Sequence, residues 1–201
     1  MKKHSKQKAN RWADHYTRKA QKEKFPARSV YKLQEMQRRF RLIKKGDRVL
    51  DLGCAPGSWL KFTAEQIGGG GQVVGVDLKP VTIALPPKVQ VIKGDAFQLT
   101  ESLAEAIGTD YNLILSDMAP ATSGNKFVDG ARSYELCRQA LDLAQKLLLP
   151  GGRFACKIFQ GEDFNEFVQL VKTAFGRHKI FKPESSRKAS KEIFVLGFDK
   201  Q

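Results

Sequence analysis

Residues 48–59 read Arg48-Val49-Leu50-Asp51-Leu52-Gly53-Cys54-Ala55-Pro56-Gly57-Ser58-Trp59. A short apolar run ends in a glycine turn and passes straight into a helical pattern, and the same alternation repeats along the chain. Strand-like runs at 48–53, 72–77, 89–93, 111–117 and 153–159 are separated by helical patterns near 58–67, 98–107, 131–148 and 162–175. This order predicts an α/β fold, a mostly parallel sheet with helices on both faces. The last two runs, 178–182 and 192–198, are joined by the polar loop 183–191 and read as an antiparallel hairpin that completes seven strands. Ahead of the sheet, Val30, Leu33, Met36 and Phe40 recur at helical spacing, which predicts a helix ending near Lys45-Gly46.

The 201 residues, 41% hydrophobic and 28% charged, suffice for one domain with a sizeable core. No apolar stretch approaches the roughly 20 residues that cross a bilayer, so no membrane is expected as a partner. The start, Met-Lys-Lys-His-Ser-Lys, has no apolar segment behind it, which argues against a secretory signal and for the cytoplasm. Cys54, Cys137 and Cys156 are odd in number and lack metal-ligand spacing, so reduced packing residues and no metal are expected. Nothing in the residues fixes an oligomeric state, and a monomer is the default.

The net charge of +14 is unevenly placed. Residues 1–45 carry 16 Lys/Arg against 3 acids, residues 46–170 carry 11 against 15, and residues 171–201 carry 8 against 3. A basic stretch interleaved with Trp12, Tyr16, Phe25 and Tyr31 points to a nucleic-acid partner ahead of a merely solubilising tail or a membrane-surface helix, because the cations are not confined to one face. Residues 1–24 are expected to form a basic extension that orders on its target, and residues 25–201 the domain.

Ligands of open parallel sheets bind at the carboxyl ends of the strands, where the strand order reverses. A dinucleotide fingerprint would place glycine or alanine at 53, 55 and 58; the chain has Gly53, Ala55 and Ser58, and the third position argues against a pyrophosphate. Gly53 and Gly57 still allow close backbone approach to a nucleoside. Asp77 ends the second strand, where a carboxylate accepts from both hydroxyls of a ribose, and Gly94-Asp95-Ala96-Phe97 places an acid and an aromatic beside an adenine ring. Either acid alone reads as a cap or turn former. Three strand ends in order describe a pocket for adenosine without phosphates, the form offered by S-adenosylmethionine.

Four charges gather on the same rim. Lys157 lies in a strand buried on both faces, where lysine needs a partner or a task. Asp117 ends the preceding strand, Glu192 begins the closing one, and Lys32 sits beside the apolar face of the first helix. Singly, each has a plain reading: a solvated helix charge for Lys32, a turn starter for Asp117, a snorkelling edge residue for Lys157, a hairpin surface residue for Glu192. Together they suit methyl transfer to a hydroxyl, in which a poorly acidic proton must leave as the oxygen attacks in line. Lys157 as a base desolvated beside the Lys32 cation, and Lys157 as a charged stabiliser of the alkoxide, are both open.

The stretch Ala27-Arg28-Ser29-Val30-Tyr31-Lys32-Leu33, the loop 51–59, Ser116-Asp117-Met118-Ala119-Pro120 with Ser123-Gly124, Lys157-Ile158-Phe159-Gln160-Gly161, and Pro183 through Ser185-Ser186-Arg187 to Glu192 resemble the FtsJ-type ribosomal RNA 2'-O-methyltransferases, from about residue 10 onward. The resemblance implies a Rossmann-like methyltransferase fold and a Lys-Asp-Lys-Glu tetrad at Lys32, Asp117, Lys157 and Glu192, with Lys157 central. It also implies S-adenosyl-L-methionine contacts at Gly57, Trp59, Asp77, Asp95 and Asp117. Ser58 departs from the family, which often has a second glycine there. Compact bacterial members are similar to the enzyme that methylates a uridine ribose in the peptidyl-transferase region of large-subunit (23S) rRNA, which implies that partner, within the subunit or its precursor.

Other classes fit less well. A non-catalytic ribosome assembly factor has no need of four charges on one rim, and a methyl-transfer assay on immature particles separates the two. A 2'-O-methyltransferase acting on tRNA shares the chemistry. A nicotinamide oxidoreductase wants the missing glycine; a base N-methyltransferase wants an Asn/Asp-Pro-Pro-aromatic turn where Asp117-Met118-Ala119-Pro120 stands; a metal-dependent O-methyltransferase wants acids or histidines beside Asp117, while His4, His15 and His178 are scattered.

Overall fold

The computed structural model describes residues 11–98, 100–187 and 189–201. Seven strands form one sheet in the order β3-β2-β1-β4-β5-β7-β6: β1 Arg48–Leu52, β2 Gln72–Asp77, β3 Val89–Lys93, β4 Tyr111–Ser116, β5 Leu148–Phe159, β6 Phe175–Phe181 and β7 Glu192–Lys200. Helices α1 Arg11–Lys22, α2 Val30–Phe40 and α3 Ser58–Ile67 cover one face; α5 Lys126–Leu147 and α6 Phe164–Ala174 cover the other, with α4 Glu101–Ile107 before β4. β1, β2, β3, β4 and β5 pair in parallel, as the alternating pattern predicts. The strand order reverses beside β1, so the carboxyl ends of β1 and β4 border the switch point.

The closing hairpin is arranged differently from a simple added pair. β7 lies between β5 and β6 and is antiparallel to both, so β6 occupies the edge and points with the parallel set. Side-chain character explains the placement. Ile193 to Gly197 are buried, whereas Gly176, Arg177, Lys179 and Ile180 on β6 are exposed; the apolar strand takes the interior and the basic one the edge.

The helix expected from Val30, Leu33, Met36 and Phe40, α2, ends earlier than its expected stop near Lys45-Gly46. It stops at Phe40 because Arg41 turns left-handed (φ 50°) and donates its N–H to Gln37 O. The Gln37 side chain then holds both backbone groups of Ile43, at 2.7 and 2.8 Å, so an amide replaces the helical ladder. Residues 1–10 lie outside the described residues, but α1 occupies part of the expected 1–24 extension. Ala20 is buried, Tyr16 lies 5.2 Å from the Tyr31 ring, and Lys19 sits 4.7 Å over that ring, which seats α1 against α2.

Two contacts hold α2 against α3. The Ser58 hydroxyl accepts from Ala27 N at 2.7 Å and donates to Ala27 O at 3.1 Å, and Trp59 Nε1 donates to Ser29 O at 2.9 Å. Ser58, the family departure, thus ties the chain entering α2 to the loop after β1. Glu35 fixes the middle of α2 from the other side by accepting from Glu184 N (2.7 Å) and Ser185 N (2.9 Å) of the β6–β7 loop. Close approach also sets two glycines: a Cβ on Gly75 of β2 would lie 2.7 Å from Leu60, and one on Gly53 (φ +76°) would collide with Met118.

Away from the switch point, Arg153 of β5 donates to Asp47 Oδ1 at 2.7 Å and to Leu42 O at 2.6 Å, with both side chains of the pair only 7% exposed. Asp47 also caps Lys44 N at 2.6 Å. Removing one partner strands a buried charge, so Asp47→Ala is expected to cost roughly 3–5 kcal/mol in urea unfolding, far more than an exposed pair would. A loss below about 1 kcal/mol would show that the pair is solvated.

Candidate active site

Four elements deliver one charge each to the rim. The first turn of α2 supplies Lys32, the residue after β4 supplies Asp117, β5 supplies Lys157 and the start of β7 supplies Glu192. Lys32 Nζ lies 3.2 Å from Asp117 Oδ1 and 3.2 Å from Glu192 Oε2; Lys157 Nζ lies 3.1 Å from Asp117 Oδ1 and 3.7 Å from Glu192 Oε1. Lys157 also donates to the Asp117 backbone carbonyl at 2.6 Å. The sequence-predicted set is thus brought together as a closed bridge of two ammonium and two carboxylate groups. Exposure rises from 4% at the Lys157 side chain through 11% and 16% at Lys32 and Asp117 to 24% at Glu192, so the group opens toward solvent on the Glu192 side.

Burial opposes the charge of Lys32, but Asp117 and Glu192 outweigh it and hold the ammonium above its ordinary pKa. Lys32 therefore stays a cation across the neutral range. Burial likewise opposes ionisation of Glu192, yet Lys32 and Lys157 hold its carboxyl below the usual glutamate value.

Beside the bridge lies a cavity of about 580 Å3 lined by Gly53, Asp77, Asp95, Phe97 and Asp117 among others. The Asp77 carboxylate is fixed by Ala55 N and Lys79 N, each at 2.8 Å, and Asp95 by Phe97 N at 2.9 Å. Both retain lone pairs for a ligand. A smaller recess of about 60 Å3, lined by Ser29, Ser58 and Trp59, shares Gly53, Ala55 and Asp117 with the larger one. Of the expected cofactor residues, Gly53, Asp77, Asp95 and Asp117 face the main cavity and Trp59 only the recess. Gly57 borders neither: its φ of +103° closes the turn, and a Cβ there would press on Val81 and Ile83. Three carboxylates on the walls suit hydroxyls and positive charge rather than a pyrophosphate.

Asp51 is a residue that sequence reasoning passed over. It is buried in β1, and burial followed by the Asp117 and Asp77 charges pushes its carboxyl well above the ordinary carboxylate range. Its Oδ2 has no hydrogen-bond partner among the described residues. The available signal was an acid inside the apolar run Val49-Leu50-Asp51-Leu52. Among the described residues no group of three or more His, Cys, Asp or Glu is placed to hold a metal, and no helix is long and apolar enough to cross a membrane.

Because the folded pKa of Glu192 lies below its unfolded one, its stabilising contribution is complete above the ordinary glutamate value and lost as pH falls through the folded value. The stability gap between the wild-type chain and Glu192→Gln is therefore expected to be constant from about pH 6 to 8 and to shrink below about pH 4.3, as read from urea midpoints. A gap that widened toward acid would contradict the bridge.

The model of the FtsJ-like methyltransferase family matches residues 25–200. The chain is 57% identical over 197 residues to the ribosomal RNA large subunit methyltransferase E of Desulforapulum autotrophicum, covering 98% of this chain and 97% of that protein. It is 55% identical to the protein of the same name from Desulfatibacillum aliphaticivorans, covering 96% and 93%. The crystal structure of a ribosomal RNA methyltransferase from Plasmodium falciparum superposes with a TM-score of 0.77 at 26% identity, over 88% of this chain and 100% of that one. A seven-stranded Rossmann-like sheet, a charged bridge at its switch point and near-complete coverage by these relatives agree, and the chain belongs to the FtsJ-like methyltransferase family.

Proposed function

We propose that the protein is an S-adenosyl-L-methionine-dependent methyltransferase acting on a ribose 2'-hydroxyl of large-subunit (23S) rRNA, a uridine by the resemblance above, in the cytoplasm and as a monomer. The observation that carries the reading is the closed bridge of Lys32, Asp117, Lys157 and Glu192 at the mouth of the carboxylate-lined cavity. One chain supplies all four groups. The relatives' names supply the rRNA substrate.

Gly53, Asp77, Asp95 and Phe97 would hold the nucleoside part of the cofactor, with Asp77 accepting from ribose hydroxyls, and Asp117 would face its cationic end. The bound cofactor supplies an activated methyl group on a positively charged sulfur. Lys157 Nζ faces the acceptor hydroxyl: as the oxygen bonds the methyl carbon and the sulfur–methyl bond breaks, the hydroxyl proton passes to Lys157 acting as base or, with Lys157 charged and steadying the oxygen, to water on the Glu192 side; Asp117 and Glu192 orient both lysine nitrogens, and Lys32 remains a fixed cation that balances the second carboxylate. The low exposure of Lys157 keeps water from competing for it.

Lys157→Ala is expected to lower transfer to immature large subunits by about 10^3-fold or more with cofactor affinity near wild type; the chain stays folded at the assay temperature, at a lowered unfolding midpoint because the two carboxylates of the bridge lose one cation. A variant with most of its activity would remove Lys157 from the chemistry. Mass-spectrometric mapping of ribose methylation, with and without the gene, reads substrate and position together. The amino-terminal lysines Lys2, Lys3, Lys6 and Lys8 are expected to grip phosphates. Changing all four to Gln should make the slope of log binding constant against log salt shallower by roughly 0.7–0.9 per lysine in contact, with cofactor binding unchanged. Equal slopes would detach this segment from RNA.

A further inference from the structure

We propose that a second cavity, on the Glu192 side of the charged bridge, receives the nucleobase of the acceptor nucleotide; this rests on the methyl-transfer reading above and adds the site that selects where transfer occurs. The cavity, about 200 Å3, is walled by Lys126 and Asp129 of α5, Phe159 and Gln160 at the end of β5, and Ser190, Lys191 and Glu192. It shares no wall residue with the cofactor-sized cavity. Asp117 borders one and Glu192 the other, and both lysines span the two carboxylates, so the bridge stands between the cavities.

In-line transfer requires the entering oxygen and the leaving sulfur on opposite sides of the methyl carbon. With the cofactor on the Asp117 side, the acceptor ribose must enter where the bridge opens to solvent, and that is the Glu192 side. A nucleotide entering there has its base beside the second cavity. The volume falls below the roughly 300 Å3 at which drug-sized ligand sites begin, which suits one base rather than a whole nucleotide. RNA readers splay a base out, stack it on an aromatic ring and bond its polar edge. The walls offer those groups: the Phe159 ring, the Gln160 amide with a donor and an acceptor, and the Lys126 and Lys191 ammonium groups for the flanking phosphates.

The walls are also fixed in advance. Gln160 N donates to Lys191 O at 2.9 Å, Phe159 N to Ser133 Oγ at 3.0 Å and Glu192 N to Ser190 Oγ at 3.2 Å. Asp129 accepts from Ser123 N (2.7 Å), Ser123 Oγ (2.9 Å) and Gly124 N (3.3 Å), which anchors this wall to the loop before α5.

The test measures steady-state transfer of labelled methyl from S-adenosyl-L-methionine to unmodified large ribosomal subunits by the full-length chain. Lys126→Trp fills the cavity from the exposed first residue of α5 and should lower kcat/KM at least about 30-fold relative to Lys126→Ala, which removes the charge alone. Gln160→Ala should raise KM for the particle about tenfold with kcat little changed, the pattern of lost binding rather than lost chemistry. Cofactor affinity should match wild type in all three. Lys126→Trp within threefold of Lys126→Ala, or an unaltered KM for Gln160→Ala, overturns the base site while wild-type transfer keeps the methyl-transfer reading intact. No transfer by the wild-type chain overturns that reading and the base site with it.

Discussion

One carboxylate oxygen, Asp117 Oδ1, lies 3.2 Å from Lys32 Nζ and 3.1 Å from Lys157 Nζ. Two ammonium groups this close are tolerable in a mostly buried position only if their charge is met, and Glu192 meets the remainder from the far side. The bridge is therefore neutral as a set and unbalanced in any part. It also makes four distant stretches of chain answer for one another, because α2, the end of β4, the middle of β5 and the start of β7 must all be in place before any one of the charges is compensated.

The sheet makes that meeting geometric rather than fortuitous. Parallel strands deliver their last residues to a common rim, which brings Asp117 level with the switch point. A strand of opposite sense delivers its first residue there instead, and the β5–β7 register sets Glu192 opposite Phe159, two residues past Lys157. Lys32 reaches the rim only because Ser58, Trp59 and Glu35 fix α2 at three points. The fold and the charged bridge are thus linked through small polar contacts at some distance from the four charges.

Much of this was legible in the sequence. The alternation of apolar runs and helical patterns located all seven strands, since period and punctuation are local properties, and the buried Lys157 announced itself as a charge inside an apolar strand. Strand ends then put Asp117 and Glu192 on the same rim, while Lys32, taken alone one more lysine on a basic helix, entered the set through the resemblance. What stayed illegible depended on long-range packing. The stop of α2 at Phe40 turns on a Gln37 side chain reaching Ile43, the inward position of β7 on competition between two strands for the interior, and the turn role of Gly57 on its positive φ and on Val81 and Ile83 leaving no room for a Cβ there. Ser58 looked like a tolerated exception and proved to be a clamp whose partner lies 31 residues away.

The seat of β7 also orders events during synthesis. It follows every other described element in the chain, yet it lies between β5 and the edge strand, so β6 cannot join the sheet until β7 has arrived. A ribosome that has finished β5 and β6 carries a nascent chain with an unpaired sheet margin, the kind of edge that invites association with other chains. Because Glu192 opens that final strand, closing the margin and completing the bridge are the same late step.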